Sequence, residues 1–259
     1  MNKNNKNFCA VLLCGGLGTR ISSITKTIPK PMIKVFNKPL IFYSIEALLK
    51  SKVSKIILPL GYKGQIIENY VKKKYKKDLS KFLLIKTGRN TSIFKRIIKV
   101  KTEIKKYKSF LLLNSDTIFN FELNKLIEKH IKSKNKITVS TSIMKTSWGT
   151  FECNKKNEIV KFSKNNYLQN YKLVDSNMIG IRNSGIAVIE TNCLDNLSDK
   201  EKDFELNLYS KFINKKKIGL HIFNNKFWEP VETLSDLNMV KNNLKLKNYF
   251  KKNYEKYTS

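Results

Sequence analysis

"FCAVLLCGGLGTR", residues 8–20, decides how this chain is read. An unbroken apolar run from Phe8 to Cys14 meets Gly15, Gly16 and Gly18. A continuous run of that length is what a central parallel strand, buried on both faces, requires. Glycines straight after it leave main-chain N–H groups open to a close neighbour, and Arg20 brings a guanidinium to the same place. Lys30 follows in "PKPM", residues 29–32. Bare backbone with two cations suits a polyphosphate. By itself the loop also fits an ordinary strand-to-helix turn carrying a surface arginine.

Working outward, apolar strand-like runs alternate with helical patterns. Ile41, Ile45, Leu48 and Leu49 recur at helical spacing between 40 and 53. Strands are predicted at 55–60 ("KIILPL"), 81–86 ("KFLLIK") and 110–116 ("FLLLNSD"). Helices are predicted at 63–75, 92–104 and 122–132, with Ser92 a candidate N-cap. This order implies an α/β fold built on a doubly wound, mostly parallel, Rossmann-like sheet. Such sheets bind ligands beyond the carboxyl ends of their strands, so the glycine loop and Asp116 should share one rim. Short strands crowd the second half ("TVSTSIM", "GTFEC", "EIVKFS", "SGIAVIE"), and residues 164–182 read as an irregular lid or specificity loop. One or two basic helices are expected from Thr233 onward. No composition break marks a linker, so 1–259 is expected to be a single domain. Its first half would span about 8–140, its second about 141–240, and terminal helices would run to 259.

Composition excludes several classes. The net charge of +31 invites a nucleic-acid reading, yet only four of 51 basic residues are arginine, the residue that bidentate base and phosphate recognition favours. Lysine instead coats the helix faces, so no specific nucleic-acid partner is expected. Cys9, Cys14, Cys153 and Cys193 are scattered, with no zinc-ligand spacing and no disulfide framework. The apolar start is too short for a signal peptide, and no stretch reaches transmembrane length. A cytoplasmic protein with no membrane partner is expected. Its two histidines, His130 and His221, read as structural or solvated.

The loop is not a Walker A motif, because no Gly-Lys pair follows Gly15. Nor is it a dinucleotide fingerprint, because Ile21 stands where the third glycine belongs. "GGLGTR…PKPM" resembles instead the signature of sugar-1-phosphate nucleotidyltransferases. "GYKG" (61–64), "TGRNTSIFKRIIKV" (87–100), "LLLNSDT" (111–117), "IRNSGIAVIE" (181–190) and "FWEPVETLSD" (227–236) follow in family order. The "TG…T…R" and "FW-P-TL-D" segments are most similar to the glucose-1-phosphate cytidylyltransferase branch.

The resemblance implies transfer of a nucleotidyl group, CMP from CTP, to a sugar 1-phosphate with release of pyrophosphate, in nucleotide-sugar and surface-polysaccharide synthesis. Guanylyl, thymidylyl or uridylyl transfer remains open, as does a catalytically weakened nucleotide-binding regulator. The implied partners are a nucleoside triphosphate and a sugar 1-phosphate, with a homo-oligomer open. The implied cofactor is Mg²⁺, held by Asp116 and Glu232. Arg20, Lys30 and Asp116 are the implied catalytic residues. Gly15, Gly16, Gly18, Thr19, Arg20, Gly88, Thr91 and Arg96 would bind nucleotide, and Lys164, Asn183 and Glu205 the sugar phosphate. Asp116 alone could also be a turn-capping residue. Phe94-Lys95 stand where the branch has two glycines, a change expected to reshape the nucleotide pocket. Ser115 replaces a glycine before Asp116, "SKN" replaces "EKP" at Lys164, and Glu232 replaces an aspartate.

Overall fold

A computed structural model describes residues 7–142, 144–145, 150–153, 158–163, 167–168, 171–172, 179–180, 183–197, 203–223 and 227–254. Its centre is a seven-stranded sheet. The strands are β1 (Phe8–Leu13), β2 (Lys55–Leu60), β3 (Phe82–Lys86), β4 (Ser109–Asn114), β6 (Ile137–Ser142), β7 (Asn183–Glu190) and β8 (Ile218–Phe223). A short strand β5 (Thr117–Phe119) follows β4 outside this sheet, and its partner β9 (Trp228–Pro230) comes late in the chain. The spatial order is β8-β6-β7-β4-β1-β2-β3, with β7 antiparallel to both neighbours and every other pairing parallel.

Period-two alternation builds two cores. Ala10 and Leu12 of β1, with Leu111 and Leu113 of β4, face one layer; Cys9, Val11, Phe110 and Leu112 face the other. The first layer holds α1 (Leu40–Leu49), α2 (Gly64–Lys74), α4 (Leu123–Lys132), α6 (Leu234–Lys241) and α7 (Leu244–Tyr254). The second holds α3 (Ile93–Ile104) and α5 (Phe204–Asn214). The α3 stripe of Phe94, Ile97, Val100 and Ile104 is fully buried, and Ser92 caps the helix by accepting from the Lys95 N–H at 3.3 Å. Phe94 therefore belongs to the core. The expectation that it reshapes the nucleotide pocket is corrected: helical phase turns it onto the sheet, while Lys95 points to solvent.

The predicted strands and helices of the first half appear within one to two residues of their expected bounds. The β-rich second half is present too, with small antiparallel pairs at Thr150–Cys153 with Ile159–Ser163, Tyr167–Leu168 with Met144–Lys145, and Tyr171–Lys172 with Ile179–Gly180. Most of the expected irregular loop over 164–182 lies outside the described residues. Helix α5 was not foreseen, although Phe204, Leu208 and Phe212 carry its one-sided spacing. Two terminal helices are present, the first opened by a capping box between Thr233 and Asp236. Among the described residues no helix is long and apolar enough to cross a membrane.

Candidate active site

The chain leaves β1 toward β2 on one side and places β4 on the other, so the strand order reverses between the parallel β1 and β4. A crevice is expected beyond their carboxyl ends. It is there: a cleft of about 240 Å³ lined by Leu13, Cys14, Gly16, Gly18, Thr19, Arg20, Lys30, Pro31, Ser115, Asp116 and Glu232.

Local chemistry sets each wall. Gly18 sits at φ +67°, where a side chain would be strained, and an added Cβ would lie 2.8 Å from the Thr25 methyl. Alanine there would cost roughly 1–2 kcal/mol from backbone handedness alone. Thr25 Oγ1 donates to the Gly18 carbonyl at 3.0 Å, fixing the turn that presents Thr19 and Arg20. Lys30 stands between Pro29 and Pro31, whose rings restrict the backbone on either side of it. Ser115 donates both its N–H (3.1 Å) and its hydroxyl (2.6 Å) to the Leu13 carbonyl. It thus ties the end of β4 to the end of β1, immediately before Asp116.

Glu232 reaches the cleft from far along the chain. The ladder of β9 on β5 continues into a 2.9 Å bond from the Val231 N–H to the Asp116 carbonyl. Asp236 then accepts from the N–H groups of Glu232 and Thr233 at 3.0 and 2.8 Å. A helix cap therefore pins the backbone that carries the second carboxylate.

The charged groups are arranged as two pairs. Lys30 Nζ donates to Asp116 Oδ2 at 2.5 Å in a mostly shielded position, with side-chain exposures of 14% and 28%. Arg20 Nη1 donates to Glu232 Oε2, and that pair is open to solvent. Two carboxylates and two cations thus face one volume beside an open glycine loop. Cys14 lines it too, but burial pushes its thiol up to about 12, so it stays protonated and is no nucleophile at neutral pH.

The other expected residues fall in different places. Gly15, between Cys14 and Gly16 of the cleft wall, does not line it, and its carbonyl accepts from Arg96. Gly88, Thr91 and Arg96 do not line it: Thr91 Oγ1 donates to the Thr87 carbonyl at 2.7 Å, and Arg96 is 3% exposed beneath the loop. Asn183 and Glu205 meet on the far side of Leu13, where Asn183 Nδ2 donates to Glu205 Oε2 at 3.3 Å. Glu205 lines a second cleft of about 250 Å³ with Leu13, Leu112, Asn114, Gly185, Asp203 and others. Burial holds its carboxyl above the ordinary range, opposed by the hydrogen bond from Asn183. Lys164 lies outside the described residues. Ser115, Gly61 and Asn114 were missed as contributors. "GYKG" and "LLLNSDT" contained them, but no local pattern shows which way such residues face.

The sequence matches the nucleotidyl transferase family model over residues 9–246. The chain belongs to that family. It is 28% identical over 213 residues to D-glycero-alpha-D-manno-heptose 1-phosphate guanylyltransferase of Aneurinibacillus thermoaerophilus, an alignment spanning 81% of this chain and 87% of that one. It is 32% identical over 157 residues to the "Probable glucose-1-phosphate cytidylyltransferase" of Bacillus subtilis, covering 53% of this chain and 61% of that one. The fold matches the crystal structure of HddC from Yersinia pseudotuberculosis with a TM-score of 0.63 at 22% identity, over 90% of this chain and 97% of that one. The resemblance read from the glycine loop and its followers is therefore to the right family.

Proposed function

We propose that this nucleotidyl transferase joins a nucleoside triphosphate to a sugar 1-phosphate, giving a nucleotide-sugar and pyrophosphate. One observation supports this above others: Arg20, Lys30, Asp116 and Glu232 converge at the β1/β4 crevice beside the glycine loop. In the reaction a sugar-phosphate oxygen attacks the α-phosphorus in line, and the bond to the bridging oxygen breaks with pyrophosphate leaving. No protein nucleophile is needed; positioning and neutralisation of crowded negative charge suffice. Arg20 and Lys30 supply that charge, and Gly16, Gly18 and Thr19 let phosphate or base approach the backbone.

Asp116 and Glu232 fit a magnesium ion. Two hard carboxylates with further oxygens from phosphate and water are the donor set Mg²⁺ takes. Among the described residues no larger acidic or His/Cys cluster competes for that role. When bound, the ion would neutralise charge on the phosphate oxygens. Lys30 and Arg20 would exchange their carboxylate partners for phosphate at the same moment.

The second cleft is assigned to the sugar. Glu205 and Asn114 line it, with Asn183 bonded to Glu205 beside them, and these offer acceptors and donors suited to hydroxyl groups; Leu13 borders both clefts. Lys164 is retained as the cation for the sugar-bound phosphate. For the base, two observations point apart. The "TG…T…R" segment favours CTP, and the extent of similarity to the heptose 1-phosphate guanylyltransferase favours GTP. Thr87, Gly88, Thr91 and Arg96 bond one another and the loop, which lowers the weight of that segment as a base reader. We place GTP first and CTP second.

The test is pyrophosphate release with each nucleoside triphosphate against a panel of sugar 1-phosphates, including heptose, mannose and glucose. Release is expected only when Mg²⁺ and both substrates are present. Nucleotide binding without release under any combination would favour the regulator reading.

A further inference from the structure

Arg96 raises a question the transfer chemistry leaves open. Its guanidinium is buried with no carboxylate among its hydrogen-bond partners. Nη1 donates to Thr87 Oγ1 at 2.9 Å and to the Gly88 carbonyl at 3.2 Å. Nη2 donates to the Gly15 carbonyl at 2.7 Å and to the Arg89 carbonyl at 3.3 Å. Burial lowers its pKa, as a cation surrounded only by neutral oxygens requires.

Two glycines make room for it. A Cβ on Gly15 or on Gly61 would sit 2.1 Å from Nη1, and one on Gly61 would also sit 2.4 Å from the Gly15 carbonyl oxygen. That accounts for the first glycine of "GYKG", which lines no part of the cleft. The Tyr62 N–H adds a second bond to the Gly15 carbonyl at 3.1 Å, so this oxygen is held inward from two directions.

The peptide joining Gly15 to Gly16 is trans, so its N–H points opposite to its C=O. With the carbonyl drawn inward, the Gly16 N–H is turned away from Arg96, and Gly16 itself lines the cleft. That N–H makes no hydrogen bond among the described residues. A Cβ at Gly16 would meet nothing within 4 Å, so nothing in the fold itself calls for glycine there.

We infer that Arg96, seated by Gly61 and Thr87, is a positioning residue that aims the Gly16 N–H at a phosphate oxygen of the substrate. The inference rests on the reading that this cleft takes a triphosphate, and it concerns binding rather than transfer. Arg96 touches no substrate. It acts by fixing one peptide plane, with its buried charge lying under the phosphate.

The experiment uses inorganic tripolyphosphate, which carries the phosphates without base or sugar, on the full chain. In the parent, tripolyphosphate should shift the Gly16 amide proton resonance. Gly61→Ala and Arg96→Lys should weaken tripolyphosphate binding about tenfold and shrink that shift. In turnover they should raise KM for the nucleotide while moving KM for the sugar phosphate less than twofold, a split that general destabilisation would not produce. Thr87→Val removes one neutral hydrogen bond and spares the backbone. It should weaken binding about two- to fivefold, and it decides the matter if Gly61→Ala does not fold. A Gly16 resonance unmoved by tripolyphosphate overturns the inference, as do folded Gly61→Ala and Thr87→Val variants that bind it like the parent. Failure of pyrophosphate release with every sugar phosphate would instead strike the proposed transfer and leave this result standing.

Discussion

Two clefts flank Leu13 at the carboxyl ends of β1 and β4, and they differ in how their charges are balanced. In the glycine-loop cleft each carboxylate already holds a cation: Asp116 holds Lys30, and Glu232 holds Arg20. In the other, the hydrogen bonds to Glu205 come from neutral groups: Asn183 and Tyr209 donate to it at 3.3 and 3.4 Å. The first is built to trade ionic partners and the second to present neutral hydrogen bonds around Glu205, with Asp203 also in its wall. Phosphate suits the former, sugar hydroxyls the latter.

The largest effect should come from breaking the shielded pair. Asp116→Asn and Lys30→Ala are each expected to lower kcat/KM about 10²–10³-fold, the scale seen when one transition-state charge contact is lost. A paired cleft also makes an inverted prediction for Asp116→Asn. With the carboxylate gone, Lys30 is released, so tripolyphosphate should bind more tightly than to the parent when Mg²⁺ is chelated. Calorimetry in EDTA checks this, and weaker binding by the variant would show that the pair does not restrain Lys30.

Glu205→Gln should act on the other cleft alone, raising KM for the sugar phosphate about tenfold and leaving nucleotide KM within twofold. Its carboxyl titrates higher folded than unfolded, so the native state binds more protons in the window above the unfolded pKa of about 4.3. Stability contributed by this group is therefore present at low pH and declines as pH rises through the raised folded value. The Gln variant should melt above the parent at pH 8, with the difference shrinking toward pH 4. A thermal shift series reads it.

Smaller still is the effect of the exposed pair. Glu232→Asp should retain more turnover than Glu232→Gln, because one keeps an anionic metal ligand and the other loses it. Neither should alter stability by more than about 1 kcal/mol, since solvent-exposed pairs contribute little. Equal inertness of the parent and both variants, with nucleotide still bound, would identify a regulator. Least of all should the lysine-rich surface matter: binding to duplex DNA should be weak and lost steeply with added salt.

The local sequence determined a good deal. The apolar run of β1, the glycines after it and the Pro-Lys-Pro around Lys30 are contiguous, so their chemistry is legible without a fold. Alternating strands and helices then place Asp116 on the same rim, because parallel connections bring every strand end to one side. Ser92 is a readable cap for the same reason: its partner is three residues away. Tertiary structure alone decided the rest. Glu232 meets the cleft through the β5–β9 register, a pairing of distant segments that no local period encodes. Arg96 and Phe94 lie two residues apart on one helix, a spacing that turns them to different sides, and periodicity does not say that both will be buried. The sheet receives Phe94 as core, whereas Arg96 lies at the strand ends, where the backbone oxygens of Gly15, Gly88 and Arg89 are waiting. Helical spacing fixes a direction; only the packed neighbours determine what a side chain meets there.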